Sequence, residues 1–294
     1  MVRRARPRPL RRLAGLTALP ESAEPGEPAW ARWFGAYDRL VLVANSEAVS
    51  RAALEAMPEG TLFVFFNRVF KVLDAPFARP SVLVARCSIA GPNVVHRNEQ
   101  GSVLGLLAGD AFHGVLQLRA APHEAFGEAA AFAPHPVARL DLSGWFDGVY
   151  PPGDVPTSGF ALAAWMMAFE AAPPVTLAGF SAERSDRWKL FDDHDWAFEQ
   201  VVLRSLASGG RLERVPAAGE AWPLGAMMDR LGAAAPDPAV VAAVLSERQR
   251  GTNVMLDRVW SMMKPIRTLD RAFRRLKPPT RKERAARART GGER

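Results

Sequence analysis

Short runs of apolar residues, separated by stretches with helical spacing, dominate the middle of the chain. The first run, Leu40 to Val43, precedes a helix-like stretch from Val49 to Met57, and a second run covers Thr61 to Phe66. Strands that are apolar throughout are typical of parallel sheets buried on both faces. The pattern therefore predicts a β-α-β unit within a parallel sheet.

The same alternation continues towards the C-terminus. Further strands are predicted at Ser81 to Ala85, Gly114 to Leu118, Val175 to Ala178 and Arg211 to Val215, and further helices at Ala161 to Glu170 and Asp195 to Ala207. Strands that alternate with helices indicate the α/β class. We expect a Rossmann-like parallel sheet flanked by helices, in a single domain.

Composition divides the chain into three regions. Residues 1–36 are rich in Pro, Arg and Glu, which predicts a tail and linker that do not pack. Residues 37–250 hold the predicted domain, and residues 251–294 form a basic C-terminal helix and tail.

The net charge of +7 is concentrated at the two ends. Six arginines lie within residues 1–12, and residues 258–294 hold 13 Lys and Arg against 3 Asp and Glu. The residues between them therefore carry a net charge of −9. A body with this negative balance is not suited to hold a polyanion, so nucleic acid is not an expected partner.

Two further features point to the compartment. Cys87 is the only cysteine, so the chain cannot form an internal disulfide. The sequence has no apolar run long enough to cross a membrane, and Met1 to Arg12 lacks the apolar core of a signal peptide. These features predict a cytoplasmic protein.

Two predicted strand-to-helix turns carry small polar residues. Asn45 and Ser46 follow the first strand, and Thr157, Ser158 and Gly159 precede a later helix. In parallel α/β sheets such turns offer free backbone NH groups and a helix dipole to phosphate. Taken singly, each turn is also typical of ordinary helix capping.

In combination, the segments resemble the motifs of the animal-type sialyltransferase family. Leu40 to Ser46, followed by Phe65 to Arg68, resembles the long motif, and Thr157 to Phe180 resembles the short motif. His194 to Glu199 resembles the very short motif, which pairs His with Glu. The resemblance covers roughly residues 38 to 215 and implies a bacterial member of the family with its GT-A-variant fold.

The chain departs from the family pattern at several positions. Ala44 stands where the family has Gly, and Phe65 stands where it has Arg. Ser185 to Trp188 occupies the place of a motif rich in His and Tyr. The family's disulfide between the long and short motifs cannot form here, which fits a reducing bacterial cytosol.

The resemblance implies a glycosyltransferase. It would move an acidic 2-keto-3-deoxy sugar, sialic acid or 3-deoxy-manno-octulosonic acid (Kdo), from a CMP-activated donor to a glycan acceptor with inversion. Capsule or lipopolysaccharide biosynthesis is the expected setting, with lipid-linked glycans among the candidate acceptors. The donor-binding residues that the family motifs imply are Asn45, Ser46, Asn67, Thr157, Ser158, Gly159 and Phe160.

His194 is the candidate general base. The acceptor hydroxyl must lose a proton during attack, and a neutral imidazole near pH 7 suits that step. Glu199, five residues further on, is predicted to orient the imidazole or its loop. Amide and backbone NH groups can stabilise the single phosphate of CMP, so we expect neither a metal ion nor another cofactor.

Two other interpretations remain open at this point. Asp193 and Asp195 form an Asp-x-Asp motif of the kind that holds Mg²⁺ or Mn²⁺ for a sugar-diphosphate-nucleotide donor. An acidic cluster before a helix is also typical of capping. Alternatively, the departures from the family motifs indicate a catalytically degenerate transferase fold that acts as a binding protein.

The C-terminal segment combines basic residues with apolar ones. Trp260, Met263 and Ile266 are among the apolar residues that lie between many Arg and Lys side chains. This composition suits a helix on an anionic membrane surface, which Pro265 would kink. The alternative is that residues 255–263 pack on the domain and only the residues after Pro278 form a solvated tail.

Overall fold

The computed structural model describes most of the predicted domain. The described residues are 19–20, 27–86, 93–107, 109–169, 173–181, 193–208, 211–215 and scattered helical residues between 239 and 262. Several positions used above therefore lie outside the described residues, namely Cys87, the Ser185–Trp188 segment, residues 1–18 and nearly all of residues 251–294. The chain divides into two compact units, Met1–Ala243 and Val244–Arg294, and the fold below belongs to the first.

A seven-stranded sheet forms the centre of this unit. Its strands are β1 (Arg39–Val43), β2 (Thr61–Phe66), β3 (Ser81–Arg86), β4 (Phe112–Arg119), β5 (Val137–Asp141), β6 (Val175–Ala178) and β7 (Glu213–Arg214). They pair in the order β5-β4-β3-β2-β1-β6-β7, and every pairing is parallel. The predicted parallel α/β sheet is confirmed.

Helices cover both faces of the sheet. They are α1 (Glu27–Phe34), α2 (Arg51–Glu55), α3 (Gln100–Leu104), α4 (Ser158–Met166) and α5 (Trp196–Ser208), with 3-10 turns at Val69–Lys71 and Ala129–Phe132. Alternate residues of β1 enter different cores: Leu40 packs with α1, α4 and α5, whereas Val41 packs with α2 and α3. This double burial explains why the inner strands are apolar throughout.

The structure corrects the prediction for the linker. Residues 27–34 form a helix, although residues 1–36 were predicted not to pack. Trp30, Trp33 and Phe34 share one face because they are three and four residues apart, and at most 2% of each is exposed. The Trp30 ring also packs edge to face against the Trp165 ring of α4, with 6.2 Å between the ring centroids. The burial of these rings outweighs the polar composition of the flanking residues.

The strand order creates a switch point between β1 and β6. The chain moves outwards from β1 to β5 and then returns to β6 on the other side of β1. In sheets of this kind, ligands bind beyond the carboxyl ends of the strands at the switch point. Gly179, with φ +77°, closes β6 there, and a Cβ at this position would lie 2.9 Å from Cβ of Ser46. The loops after β1 and β6 are therefore in direct contact.

Among the described residues, no helix is both long and apolar enough to span a bilayer.

Candidate functional site

Two asparagines link successive strand ends. Asn45, after β1, donates from Nδ2 to the carbonyl of Phe66 at 3.0 Å. Asn67, after β2, accepts at Oδ1 from the amide of Arg86, the last residue of β3, at 2.9 Å. Asn67 has a positive φ of 35°, a region that Asn tolerates better than most residues. The carboxyl ends of β1, β2 and β3 are thus joined by the amides predicted to bind a donor.

The start of α4 is fixed by Thr157. Its hydroxyl accepts from the amide of Phe160 at 3.1 Å and so caps the helix. The same hydroxyl donates to Oε2 of Glu199 at 2.7 Å, and the Thr157 amide donates to Oε1 at 2.6 Å. Glu199 therefore holds the loop before α4, and none of these hydrogen bonds involves His194.

Glu199 is buried, with 3% of its surface exposed. Tyr150 donates to its Oε1 at 2.9 Å and accepts from the Asp195 amide at 3.2 Å. Burial raises the pKa of Glu199 to about 7, although the hydrogen bonds from Thr157 and Tyr150 oppose the shift. Burial and the nearby Glu199 carboxylate raise the pKa of Tyr150 above its usual range.

The His194 imidazole has a defined tautomer. Its Nδ1 lies 2.6 Å from the carbonyl oxygen of Val155. A carbonyl only accepts, so Nδ1 carries the hydrogen and the lone pair of the neutral ring lies on Nε2. Burial lowers the pKa of His194, which keeps the ring neutral near pH 7. A neutral ring with a lone pair on Nε2 can accept a proton from a hydroxyl group.

Arg86 and Glu124 form a buried ion pair beside this loop. Nε of Arg86 donates to Oε1 of Glu124 at 2.6 Å, and Nη1 donates to the carbonyl of Pro156 at 2.6 Å. Val155, Pro156 and Thr157 are consecutive, and each is held by a different side chain: His194, Arg86 and Glu199 respectively. The loop before α4 is therefore the point where the polar side chains converge.

The remaining predicted donor-binding residues differ in their surroundings. Ser46 accepts at Oγ from the Ala48 amide at 3.2 Å, a local turn contact. A Cβ on Gly159 would lie 2.6 Å from the Phe180 ring, so the ring packs directly on the start of α4. Phe160 is buried in the core, with 3% exposed, and its amide is used by Thr157. We therefore expect no side-chain contact between Phe160 and a donor.

One member of the acidic pair before α5, Asp195, caps that helix. Oδ1 of Asp195 accepts from the amide of Phe198 at 2.9 Å. Asp193 is exposed, and its backbone carbonyl accepts from the Val155 amide at 2.8 Å. In the part of the chain that the structure describes, no three His, Cys, Asp or Glu side chains are grouped as metal ligands.

A mainly apolar pocket lies at the switch point. Its volume is about 250 Å³, and it opens between α2 and the carboxyl ends of β6 and β7. The lining includes Val49, Leu54, Met57, Gly179, Phe180 and Val215. Phe180 contributes both to this pocket and to the packing on α4, so the pocket adjoins the start of that helix.

Three residues of the polar network were not predicted: Arg86, Glu124 and Tyr150. One local signal was available for Arg86, because an arginine ends a strand that is otherwise mainly apolar. Glu124 and Tyr150 lie in loop regions without a motif, and nothing in their local sequence distinguishes them.

Comparisons with known proteins give one weak structural likeness. No protein-family model matches the sequence, and no curated protein matches it. The fold is similar to the crystal structure of alpha-2,3-sialyltransferase from Campylobacter jejuni in apo form, with 11% sequence identity and a TM-score of 0.37. The alignment covers 64% of this chain and 78% of that chain.

Proposed function

We propose that this protein is a glycosyltransferase that moves an acidic 2-keto-3-deoxy sugar from a CMP-activated donor to a glycan acceptor. The observation that carries the proposal is the His194 imidazole, whose Nδ1 hydrogen is held by the Val155 carbonyl. This contact leaves the lone pair on Nε2, which can act as a base beside the loop before α4. The acceptor hydroxyl would transfer its proton to Nε2 as its oxygen attacks the anomeric carbon.

The start of α4 suits the leaving phosphate of CMP. The amides of Ser158 and Gly159 lie in the first turn of a nine-residue helix, and neither donates to another described residue. Free amides and the helix dipole at this end favour negative charge. Asn45 and Asn67, at the ends of β1 and β2, are the proposed amide contacts to the donor nucleotide, and no metal ion takes part in the proposed reaction.

The sequence suggests the setting of the reaction. Sialic acid and Kdo are both 2-keto-3-deoxy acids activated as CMP-sugars, so bacterial capsule or lipopolysaccharide biosynthesis would use such an enzyme. We propose that it acts in the cytoplasm, on glycans that include lipid-linked ones, with the basic C-terminal segment at the inner membrane face. Nucleic acid has no part in the proposal.

Nucleotide binding tests the proposal directly. Thermal unfolding would be followed with CMP, CDP, UDP and GDP, each with EDTA and with Mn²⁺. We expect CMP to raise the melting temperature equally with and without EDTA. Stabilisation by UDP or GDP that requires Mn²⁺ would instead support the metal-dependent interpretation through Asp193 and Asp195.

Turnover separates an enzyme from a binding protein. CMP-sialic acid and CMP-Kdo would be offered with glycan acceptors, and release of CMP would be measured. We expect release from one of the two donors above the rate of spontaneous hydrolysis. Binding of CMP without turnover of either donor would identify a degenerate transferase fold that acts as a binding protein.

A further inference from the structure

A chain of polar contacts runs from the end of β4 to the loop before α4. The amides of Ala120 and Ala121 donate to Oε2 of Glu124 at 2.8 and 3.1 Å. The other oxygen of Glu124 binds Nε of Arg86, and Nη1 of Arg86 binds the Pro156 carbonyl. The side chains of the ion pair are only 10% and 5% exposed. Arg86 and Glu124 therefore each bind both the other member of the ion pair and a backbone group.

We propose that Arg86 is a positioning residue of the candidate site: it holds Pro156 and thereby fixes the Val155 carbonyl that orients the His194 imidazole. The inference rests on the proposed function, in which His194 is the base. Among the described residues, the Arg86 side chain donates to Glu124 and to Pro156 and not to the imidazole, so it acts through the backbone of residues 155–156.

The guanidinium group is suited to this task. Its rigid plane places Nε on a carboxylate and Nη1 on a carbonyl at the same time, which the single ammonium group of lysine cannot reproduce. Asn67 adds a third restraint, because its side chain accepts from the Arg86 amide at 2.9 Å. The position of Pro156 is thus set by the carboxyl ends of β2, β3 and β4 together.

Arg79 offers a comparison with Arg86, because it also donates to backbone carbonyls. Arg79 places its Nη atoms on the backbone carbonyls at the end of α2, including Leu54, Glu55 and Met57. Within the described part of the chain, Nη2 of Arg86 is buried and has no hydrogen-bond partner. Arg79 therefore also binds backbone carbonyls, but not those of the loop before α4, which makes it a matched control for Arg86.

The charges around His194 come from several elements. Arg86 of β3 lowers the pKa of His194, whereas Glu124 and Asp193 raise it. Glu199 of α5 and the Asp195 cap hold the adjacent residues of the loop and of the helix. Because the net effect leaves the ring neutral near pH 7, the tautomer of that neutral ring reports how well the Val155 carbonyl is placed.

The test is nitrogen NMR of the imidazole groups in the full-length protein, labelled at histidine, above pH 7. The His194 signals are assigned from their loss in His194→Ala. We expect the wild type to show the Nδ1-protonated tautomer. In Arg86→Lys this form should lose its predominance to the Nε2-protonated tautomer, whereas the control Arg79→Lys should keep the wild-type spectrum. An unchanged His194 tautomer in folded Arg86→Lys overturns the proposal.

A second variant decides the matter if Arg86→Lys does not fold. Glu124→Gln keeps the size of the side chain but weakens its hold on the guanidinium. We expect a smaller change of the His194 tautomer in the same direction. Loss of the wild-type tautomer supports the proposal, and retention of it in the folded protein contradicts the proposal.

Failure of the proposed function would be recognised separately. The NMR experiment needs no substrate, so a tautomer change in a protein that turns over no CMP-sugar retains the positioning role and rejects the transferase. If a CMP-sugar is turned over, Arg86→Lys should lower kcat about tenfold or more with the donor KM nearly unchanged. If Arg86→Lys turns over a CMP-sugar with the wild-type kcat and keeps the wild-type tautomer, the positioning role of Arg86 is rejected and the transferase proposal stands.

Discussion

The Glu199 carboxylate accepts hydrogen bonds from both the amide and the hydroxyl group of Thr157, at 2.6 and 2.7 Å. Glu199 lies in the first turn of α5, and Thr157 caps α4. With Tyr150 as a third donor, the carboxylate joins two helices and the loop before them. The position of the α4 N-terminus therefore depends on one buried side chain.

Replacement of Glu199 should destabilise the protein strongly. Glu199→Ala leaves three part-buried donors without their acceptor, and an unpaired buried group costs about 1–3 kcal/mol. We expect a total loss of about 3 kcal/mol or more of unfolding free energy, measured by denaturant titration. Glu199→Gln keeps one acceptor oxygen and should lose less. Equal stability of the alanine variant and the wild type would contradict the described network.

Glu199 should also make stability depend on pH. Its pKa is raised from 4.5 to about 7 in the folded state, so the folded protein holds the proton more tightly than the unfolded chain. The stability that this proton contributes is complete below pH 4.5 and is lost as pH rises through about 7, by roughly 3 kcal/mol at most.

Comparison with Glu199→Gln isolates this effect, because Gln does not titrate and His194 is present in both proteins. Thermal unfolding between pH 5 and pH 8 should show the wild type losing stability relative to the variant as pH rises. His194, whose pKa is lowered, contributes the opposite trend to both proteins, with stability lost as pH falls below about 6.5. A constant difference between the two proteins would show that Glu199 does not titrate in this range.

The inner strands could be predicted because their residues are apolar on both faces. The bounds of β2 and β6 agree with the prediction, and β1 differs by one residue. The edges were harder. β5, with the sequence VARLD, alternates buried and exposed positions at the sheet edge and was missed, and β7 is limited to Glu213–Arg214 within the predicted residues 211–215. At an edge, pairing with a neighbour rather than local sequence decides the length.

The candidate site likewise contains some residues that could be predicted from the sequence and others that could not. Asn45, Asn67 and Thr157 follow strands or precede helices, so the rule for parallel sheets predicts that they meet at one edge. Arg86 is 70 residues from Pro156 and 38 from Glu124. Contacts over such separations depend on the tertiary arrangement, which no local pattern encodes.

Gly159 should not tolerate a side chain. A Cβ there would lie 2.6 and 2.8 Å from two atoms of the Phe180 ring, so either the ring or α4 must move. We expect Gly159→Ala to cost about 1–3 kcal/mol of unfolding free energy. Gly101, in α3, is a matched control, since a Cβ there meets nothing within 4 Å. Gly101→Ala should be neutral or slightly stabilising, because alanine favours helix.

Relief by a second substitution checks the cause. Phe180→Ala should reduce the penalty of Gly159→Ala, since the ring that would collide is removed. If the losses of unfolding free energy in the two single variants add up in the double variant, the strain does not come from the Phe180 ring.

The basic C-terminal segment should bind anionic membranes. Residues 258–294 hold 13 Lys and Arg against 3 Asp and Glu, interspersed with apolar residues. Sedimentation with anionic vesicles should capture the full-length protein at low salt and release it at high salt, and neutral vesicles should not capture it. Truncation after Arg250 should abolish the binding. Equal sedimentation of the full-length and truncated proteins would reject a role for the segment.

His194→Ala should lower turnover without weakening the binding of CMP. The imidazole would take the acceptor proton at Nε2, and general-base catalysis typically contributes about 10²-fold or more. We therefore expect turnover to fall by about that factor, while CMP still raises the melting temperature as in the wild type. His96, an exposed loop histidine, gives the matched control, and His96→Ala should leave both quantities unchanged. Asn67→Ala should instead weaken donor binding as well as turnover, because Asn67 is a proposed donor contact and also ties β2 to β3. A His194→Ala protein with wild-type turnover would show that another group accepts the proton.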